Sequence, residues 1–582
     1  FSQLEISDFA DRYVKEALQT LPGVAEVRIF GERRYSMRIW LDPERMAAYR
    51  LTTQDVEAAL RAQNVEIPSG RVESQNREFS VLSESDLRTP GQFNDMILRQ
   101  ADGYLVRLQD VGRAELGAVD ERRINRFNGR TSITVGVVKQ STANPLEISE
   151  LVQRELPNVL AALPEGMEAA VAYDRALFIK TSIENVYHTI AEAVVLVILI
   201  IFLFLRSLRA TLIPLVTIPV SLIGSCAIML ALGFSINTLT LLALVLAIGL
   251  VVDDAIVMLE NIYRHVEEGM SPMRAAFQGS REIAFAVIGM TLTLAAVYAP
   301  IGFITGTTGK LFTEFAWTLA GSVLISGFVA LTLSPMMCSV LLRHQTTHGW
   351  FYNAVENVLE GMRRGYRRVL WSALRARWLV LGIGIAVAGF AVLVFGQLKS
   401  ELAPIEDQGT IAVLGTAPEG ATLQYTDTYA RQIEEILASV PEIERSLVIS
   451  GSPTVQNLIS FNRLALWDDR DRKQQEITAS LAPKMSQVAG LRAFATNPAP
   501  LGQSIRSRPV ELVIQTSQSY RELETMVEEI LRRASQNARL LNLDTDLKLN
   551  SPQIRVAIDR EKAADLGIPV ATIRLALETM LG

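Results

Sequence analysis

The sequence predicts a multi-span α-helical membrane domain, with six transmembrane helices here, flanked by soluble α+β domains and built on a two-fold internal repeat. Three observations carry that prediction. Six apolar stretches of about 20 residues, the length that crosses a hydrocarbon core of about 30 Å, all fall between residues 183 and 398. On either side of them charged residues recur every few positions, and apolar ones keep helix or strand spacing, as in soluble domains. A segment near the start of the chain also recurs near its end, and a repeat found early guards against misreading the whole fold.

The first flank, residues 1–180, opens with Phe9, Tyr13, Val14, Ala17, Leu18 and Leu21 on one helical face. Pro22 and Gly23 turn the chain into a strand over Val24 to Phe30. Met37, Ile39 and Leu41 alternate as a second strand, Asp42 with Pro43 caps a short helix, and Thr52 or Thr53 starts another. Helices alternating with strands at this density imply small α+β sandwiches.

Residues 181–342 carry five of the spans, read as Ile183 to Leu205, Leu212 to Leu232, Thr238 to Leu259, Ile283 to Ile304 and Phe315 to Leu342; the sixth, Trp378 to Leu398, occupies 377–398. The loops orient them. Arg206 and Arg209 follow the first span, Arg264, Arg274 and Arg281 the third, and Arg343, Arg363, Arg364, Arg367, Arg368, Arg375 and Arg377 the fifth, whereas the alternate loops carry only Lys310. Arg-rich loops face the cytoplasm, so both flanks lie on the outer side. Within 343–376, Trp350 to Trp371 then reads as an amphipathic helix on the inner membrane surface. Residues 399–582 form the second soluble flank.

The repeat pairs Met37 to Leu51 with Ile554 to Ile568: Asp42, Glu44 and Ala47 match Asp559, Glu561 and Ala564, each 517 residues apart. A weaker echo pairs Leu18 to Pro22 with Leu437 to Pro441. The chain is therefore expected to hold most of one half and the start of the other. Phe1 without an initiator Met, and a pattern still running at Gly582, fit an excerpt of something longer.

Composition excludes several function classes. A net charge of −6, with no basic block interleaved with aromatics, argues against nucleic acid. Cys226 and Cys338, both in apolar runs, give neither a disulfide framework nor a CxxC site. Gly306-Thr-Thr-Gly309-Lys310-Leu311 fails the nucleotide-loop pattern, because Ile304 stands where the first Gly belongs and Leu311 where Ser or Thr must bind Mg²⁺; it reads as a tight outer turn. No enzyme motif appears, and neither metal nor cofactor is called for.

Asp253 and Asp254 are different. They stand in Ala247-Ile-Gly-Leu-Val-Val-Asp-Asp-Ala-Ile-Val-Met-Leu259, with apolar turns on both sides. Each charged carboxylate at such depth costs roughly 2.5 to 3.5 kcal/mol, a cost that marks function. Neighbours on a helix point about 100° apart, so at least one of the pair must turn to another helix. A cation there would hold them ionised and protonation would release it. Gly249, one turn earlier, would let a partner helix approach closely. No Lys or Arg lies at that depth, and His188, His265, His344 and His348 sit near or beyond span ends and read as surface residues.

These residues resemble a known family. Phe204-Leu-Arg-Ser-Leu-Arg-Ala-Thr-Leu-Ile-Pro214, Gly233-Phe-Ser-Ile-Asn-Thr-Leu-Thr240, Gly249 to Asn261 around the two aspartates, and Pro404-Ile-Glu-Asp-Gln-Gly409 are similar to the resistance-nodulation-division superfamily, in its hydrophobe/amphiphile efflux branch of multidrug pumps. The resemblance implies a proton-driven antiporter of the inner membrane, homotrimeric, with twelve spans per subunit. It implies periplasmic porter subdomains of ferredoxin-like βαβ type with an inserted docking region, a periplasmic adaptor protein and an outer-membrane channel. It further implies Asp253 and Asp254 as the proton relay, a Lys partner on a later span, and small amphiphilic substrates in a pocket that by position Phe30, Leu447 and Phe461 would line. The loop Gly451 to Asn457 departs from the family in being short and without phenylalanine. Two rivals stand beside this reading: a proton-coupled accessory factor for protein translocation, and a membrane lipid sensor without turnover.

Overall fold

A computed structural model describes residues 1–65, 70–81, 86–101, 103–343, 350–398, 403–499, 510–540 and 543–581. The chain forms two compact units, Phe1–Asp174 with Ala403–Gly582, and Arg175–Leu402.

In the first unit, helix follows strand much as the spacing predicts. The opening helix runs through Gln3–Phe9, Ala10–Lys15 and Glu16–Gln19, and its middle segment is a π-helix. The wider π-turn shifts the phase of the apolar face, so Leu18 is buried while Tyr13 is 59% exposed and stacks on Phe9. Gly23, at φ +81°, makes the turn into β1 (Val24–Phe30). β2 (Tyr35–Leu41) ends at Asp42, whose carboxylate accepts from the Glu44 and Arg45 amides and caps Pro43–Ala48; Thr52 caps Thr53–Gln63. Two hairpins follow, β3 (Arg71–Glu73) with β4 (Glu78–Ser80) and β5 (Ile97–Ala101) with β6 (Tyr104–Arg107). β7 (Gly112–Ala118) pairs with β2 over a core of Met46, Val56, Phe93, Leu108 and Val111. β8 (Ile124–Phe127), β9 (Arg130–Thr131) and β10 (Thr134–Lys139) complete the first flank, β10 pairing with β1.

The second flank supplies β11 (Thr410–Thr416), helix Leu423–Ala438, β12 (Ile443–Ser450), β13 (Asn457–Leu464), helix Gln474–Met485 and β14 (Arg492–Thr496). Its antiparallel sheet has the order β14-β11-β13-β12-β8-β9, so two strands of the first flank extend it. One sheet face and the two helices enclose Ile411, Val413, Ile433, Leu437, Val448, Ile477 and Leu481.

The repeated segment keeps its helix and loses its strand. Asp559 caps Arg560–Asp565 as Asp42 caps its counterpart. Residues 554–558 form no strand, and Ile554 is 95% exposed. β2 is held extended by its ladder to β7, and 554–558 has no ladder partner among the described residues.

Among the described residues, the second unit holds six helices long and apolar enough to cross a membrane: Arg175–Leu205, Leu208–Ala231, Thr238–Glu267, Pro272–Phe303, Gly309–Leu341 and Arg377–Phe395. The third is the most enclosed and packs against the first, second, fourth and fifth; the sixth is exposed throughout. Asn237 caps the third span, its side chain accepting from the Leu239 and Thr240 amides. Gly306 to Leu311 is no separate tight turn: Gly306, at φ +89°, breaks from the fourth span and the helix of the fifth begins there. Helix Trp350–Arg375 precedes the sixth span. Arg206, after the first span, is ion-paired with Glu356 of that helix.

Candidate proton-coupling site

The apolar run around Asp253 and Asp254 forms one continuous helix, the third span, so the adjacent carboxylates leave it in different directions. Asp254 is 3% exposed and turns to the fifth span, where Ser326 Oγ lies 2.9 Å from its Oδ2 and 3.1 Å from the Val251 carbonyl. Asp253 is exposed in this chain. Among the described residues neither aspartate forms an ion pair.

Both carboxylates border a cleft of about 220 Å³ between the third and fourth spans, lined also by Gly249, Val252, Met290 and Leu294. A methyl group built on Gly249 would meet no atom within 4 Å. The flank of Gly249 is therefore open in this chain, and the glycine widens the cleft. Close approaches occur elsewhere. A Cβ at Gly279 would stand 3.1 Å from the Ile262 Cα, joining the third and fourth spans, and one at Gly327 would collide with Thr291 Oγ1, joining the fourth and fifth.

Sequence reasoning missed Ser326. The signal was present, since Thr318, Ser322 and Ser326 recur every fourth residue and so share one helical face, and all three are buried. It also misplaced His265, which is 5% exposed and lies between Glu268 and Glu282; the helix end that exposes Glu268 packs the imidazole inward against the fourth span. His188 is exposed, and His344 and His348 lie outside the described residues.

Of the three residues expected to line a pocket, two are brought together. Leu447 on β12 and Phe461 on β13 are directly paired across the sheet, on the face turned away from the helices. Leu447 is buried, and the Phe461 ring is stacked on Tyr173 at 5.8 Å. Phe30 lies on the other sheet, at the end of β1, with its ring over Gly136 and its carbonyl accepting from Asn125 Nδ2 at 2.8 Å. The Gly451 to Asn457 stretch is the short turn between β12 and β13.

The Pro404 to Gly409 stretch has a structural role. The Asp407 carboxylate accepts from the amides of Gly409 and Gln474, the Trp467 indole and Arg470 at 2.5 Å, fastening the entry of β11 to the hairpin and the helix beyond. Burial pushes this carboxyl up, but the Arg470 guanidinium and the two amides outweigh it and hold it below the ordinary range.

Comparison with known proteins gives consistent results. The sequence model of the AcrB/AcrD/AcrF family matches residues 1–582. An uncharacterized transporter of Haemophilus influenzae is 37% identical over 577 residues, covering 99% of this chain and 56% of the relative. Multidrug resistance protein MdtC of Edwardsiella ictaluri is 34% identical, covering 100% of this chain and 57% of the relative. Multidrug export protein AcrF of Escherichia coli is 32% identical, covering 100% and 58%. The chain thus spans less than two thirds of the length of these relatives.

Proposed function

This chain belongs to the AcrB/AcrD/AcrF family of resistance-nodulation-division transporters, multi-pass proteins of the inner membrane, and from that premise we propose that it is the larger part of a proton-driven antiporter. It exports drugs or other amphiphilic small molecules from the inner membrane or periplasm. The observation that carries this reading is the aspartate pair: one carboxylate buried on a single hydroxyl, the other facing an open cleft, in the middle of an apolar span.

In this reading Asp253 and Asp254 load and release protons. A cationic side chain from a span outside this chain seats in the cleft beside Gly249 and holds the carboxylates ionised; protonation releases it. Moving one charge across the membrane field is worth about 2.3 kcal/mol per 100 mV, so a proton gradient can drive the helix shift. The flanks act outside the membrane as porter subdomains. Their ferredoxin-like character is supported by the β-α-β-β-α-β order of β11 to β14, and the two-fold repeat by the matching caps at Asp42 and Asp559. The whole pump works as a homotrimer with a periplasmic adaptor and an outer-membrane channel. Helix Trp350–Arg375 lies on the inner surface of the membrane. Phe30, Leu447 and Phe461 line the substrate pocket, and Phe461 becomes available when the Tyr173 stack opens.

The test is made in the full-length parent, expressed in a pump-deficient cell. Asp253→Asn or Asp254→Asn abolishes dye and drug export with membrane level and trimer intact. Unchanged export overturns the proton-site assignment.

A further inference from the structure

A second group of titratable side chains closes the inner end of the third span. His265 lies eleven residues after Asp254, which is three turns, so both share one face of the helix about 16 Å apart. Asn261 stands between them on that face. Unlike the aspartates, this group is built from two spans with every member in contact.

The hydrogen-bond arithmetic of the imidazole is restrictive. His265 Nε2 lies 2.9 Å from Glu282 Oε2, and Nδ1 lies 3.2 Å from Glu268 Oε2. A neutral imidazole has one donor and one acceptor, and an ionised carboxylate offers only acceptors. Glu282 is already supplied with donors: Oε2 faces Asn261 Nδ2 at 3.3 Å and Arg264 Nη2 at 3.4 Å, and Oε1 faces Gln278 Nε2 at 3.3 Å. Ionised and surrounded by donors, it has no proton of its own to give, so Nε2 carries hydrogen and donates. The contact on Nδ1 then needs one more proton, held between two atoms that would otherwise both be acceptors.

The surroundings favour that proton. Two carboxylates meet the imidazole, Glu268 from the end of its own helix and Glu282 from the fourth span, while the Arg264 guanidinium, the nearby cation that opposes a further proton, is turned to Glu282, as is Gln278. The fifth span contributes the buried Cys338 to the apolar cluster with Ile262 and Val266. His265 also sits in the last turn of a long helix, whose free carbonyls favour a cation. Glu268, just past the helix end with its side chain 55% exposed, connects the buried ring to water.

We propose that His265, Glu268 and Glu282 form a second proton-binding site, in which an imidazolium is held at Nδ1 by Glu268 and at Nε2 by Glu282. The positive-inside loops put this end of the span on the cytoplasmic side. Its use as the station through which protons leave rests on the antiporter reading above; the site itself does not.

Nitrogen NMR on the full-length parent, labelled at histidine and assigned with a His265→Gln variant, tests it. Both ring nitrogens of His265 carry hydrogen at pH 7, and in Glu268→Gln the Nδ1 hydrogen is lost while that on Nε2 stays. A neutral His265 at pH 7 in the unaltered parent overturns the site, as does a Glu268→Gln spectrum identical to the parent's. In inverted vesicles, Glu268→Gln shifts the dependence of drug-driven proton flux on inner-face pH towards acid. An unmoved profile beside the expected NMR result reduces the cluster to a static ion pair and overturns its use in transport. Absence of drug-driven flux in the unaltered parent refutes the antiporter reading instead, while the protonation of His265 is still decided by NMR alone.

Discussion

Among the described residues, Asp254 shows how little the membrane interior gives a buried carboxylate: one hydroxyl, from Ser326. A hydrogen bond to a charged group is worth about 1.5 to 3 kcal/mol, so Ser326→Ala in the full-length parent lowers the export rate about tenfold at unchanged membrane level. Measured initial rates of dye efflux check this. Asp407 carries a different kind of residue-scale prediction. Its carboxyl is depressed in the folded state, so its stabilisation is fully present above the ordinary value of about 3.9 and is lost as pH falls through the lower folded value. Asp407→Asn strands the buried Arg470 and costs about 3 kcal/mol near neutral pH, a loss that shrinks towards pH 2; melts followed through Trp467 fluorescence at several pH values measure both. The aspartate pair was legible because charge in an apolar run is costly wherever the helix packs. Ser326 and His265 were not, since a serine or a histidine tolerates membrane core, span end and surface alike.

Elements were legible where the chain signals its own turns. β1 begins and ends at the residues the pattern indicates, and Asp42 and Thr52 each cap the helix that follows. The π-turn in the opening helix and the missing strand at 554–558 were not, because the first depends on packing and the second on a ladder partner. Pairing across long separations was likewise hidden. β8 joins the second flank's sheet through Arg126, whose guanidinium is buried against Asp427 and, at 2.7 Å, Glu434. Burial raises the Glu434 carboxyl although Arg126 opposes it. Arg126→Met leaves two acidic groups without that partner and destabilises this unit by about 3 to 5 kcal/mol, read as a lower denaturation midpoint. Among the spans, Gly327→Val forces the fourth and fifth helices apart and lowers thermal stability in detergent. Gly249→Ala leaves that stability unchanged, since its flank is open here, yet impairs export if a cationic helix seats against it.

At the scale of the whole molecule, the chain covers 56% to 58% of its relatives' length, and its aspartates lack a cation among the described residues. Expressed alone in a pump-deficient cell, residues 1–582 do not restore export, whereas the full-length parent does; drug-susceptibility assays distinguish the two. By itself the sequence determined the six long apolar helices, the charged flanks on either side of them and the costly aspartate pair, because hydropathy and capping act over one turn or one span. Only the tertiary structure decided which helix face meets which. It gave Asp254 its hydroxyl, left Asp253 and Gly249 on a cleft, buried His265 between two glutamates and put Phe30 on a different sheet from the Leu447 and Phe461 pair. Those outcomes depend on contacts between residues far apart in the chain, and no local pattern encodes the partner.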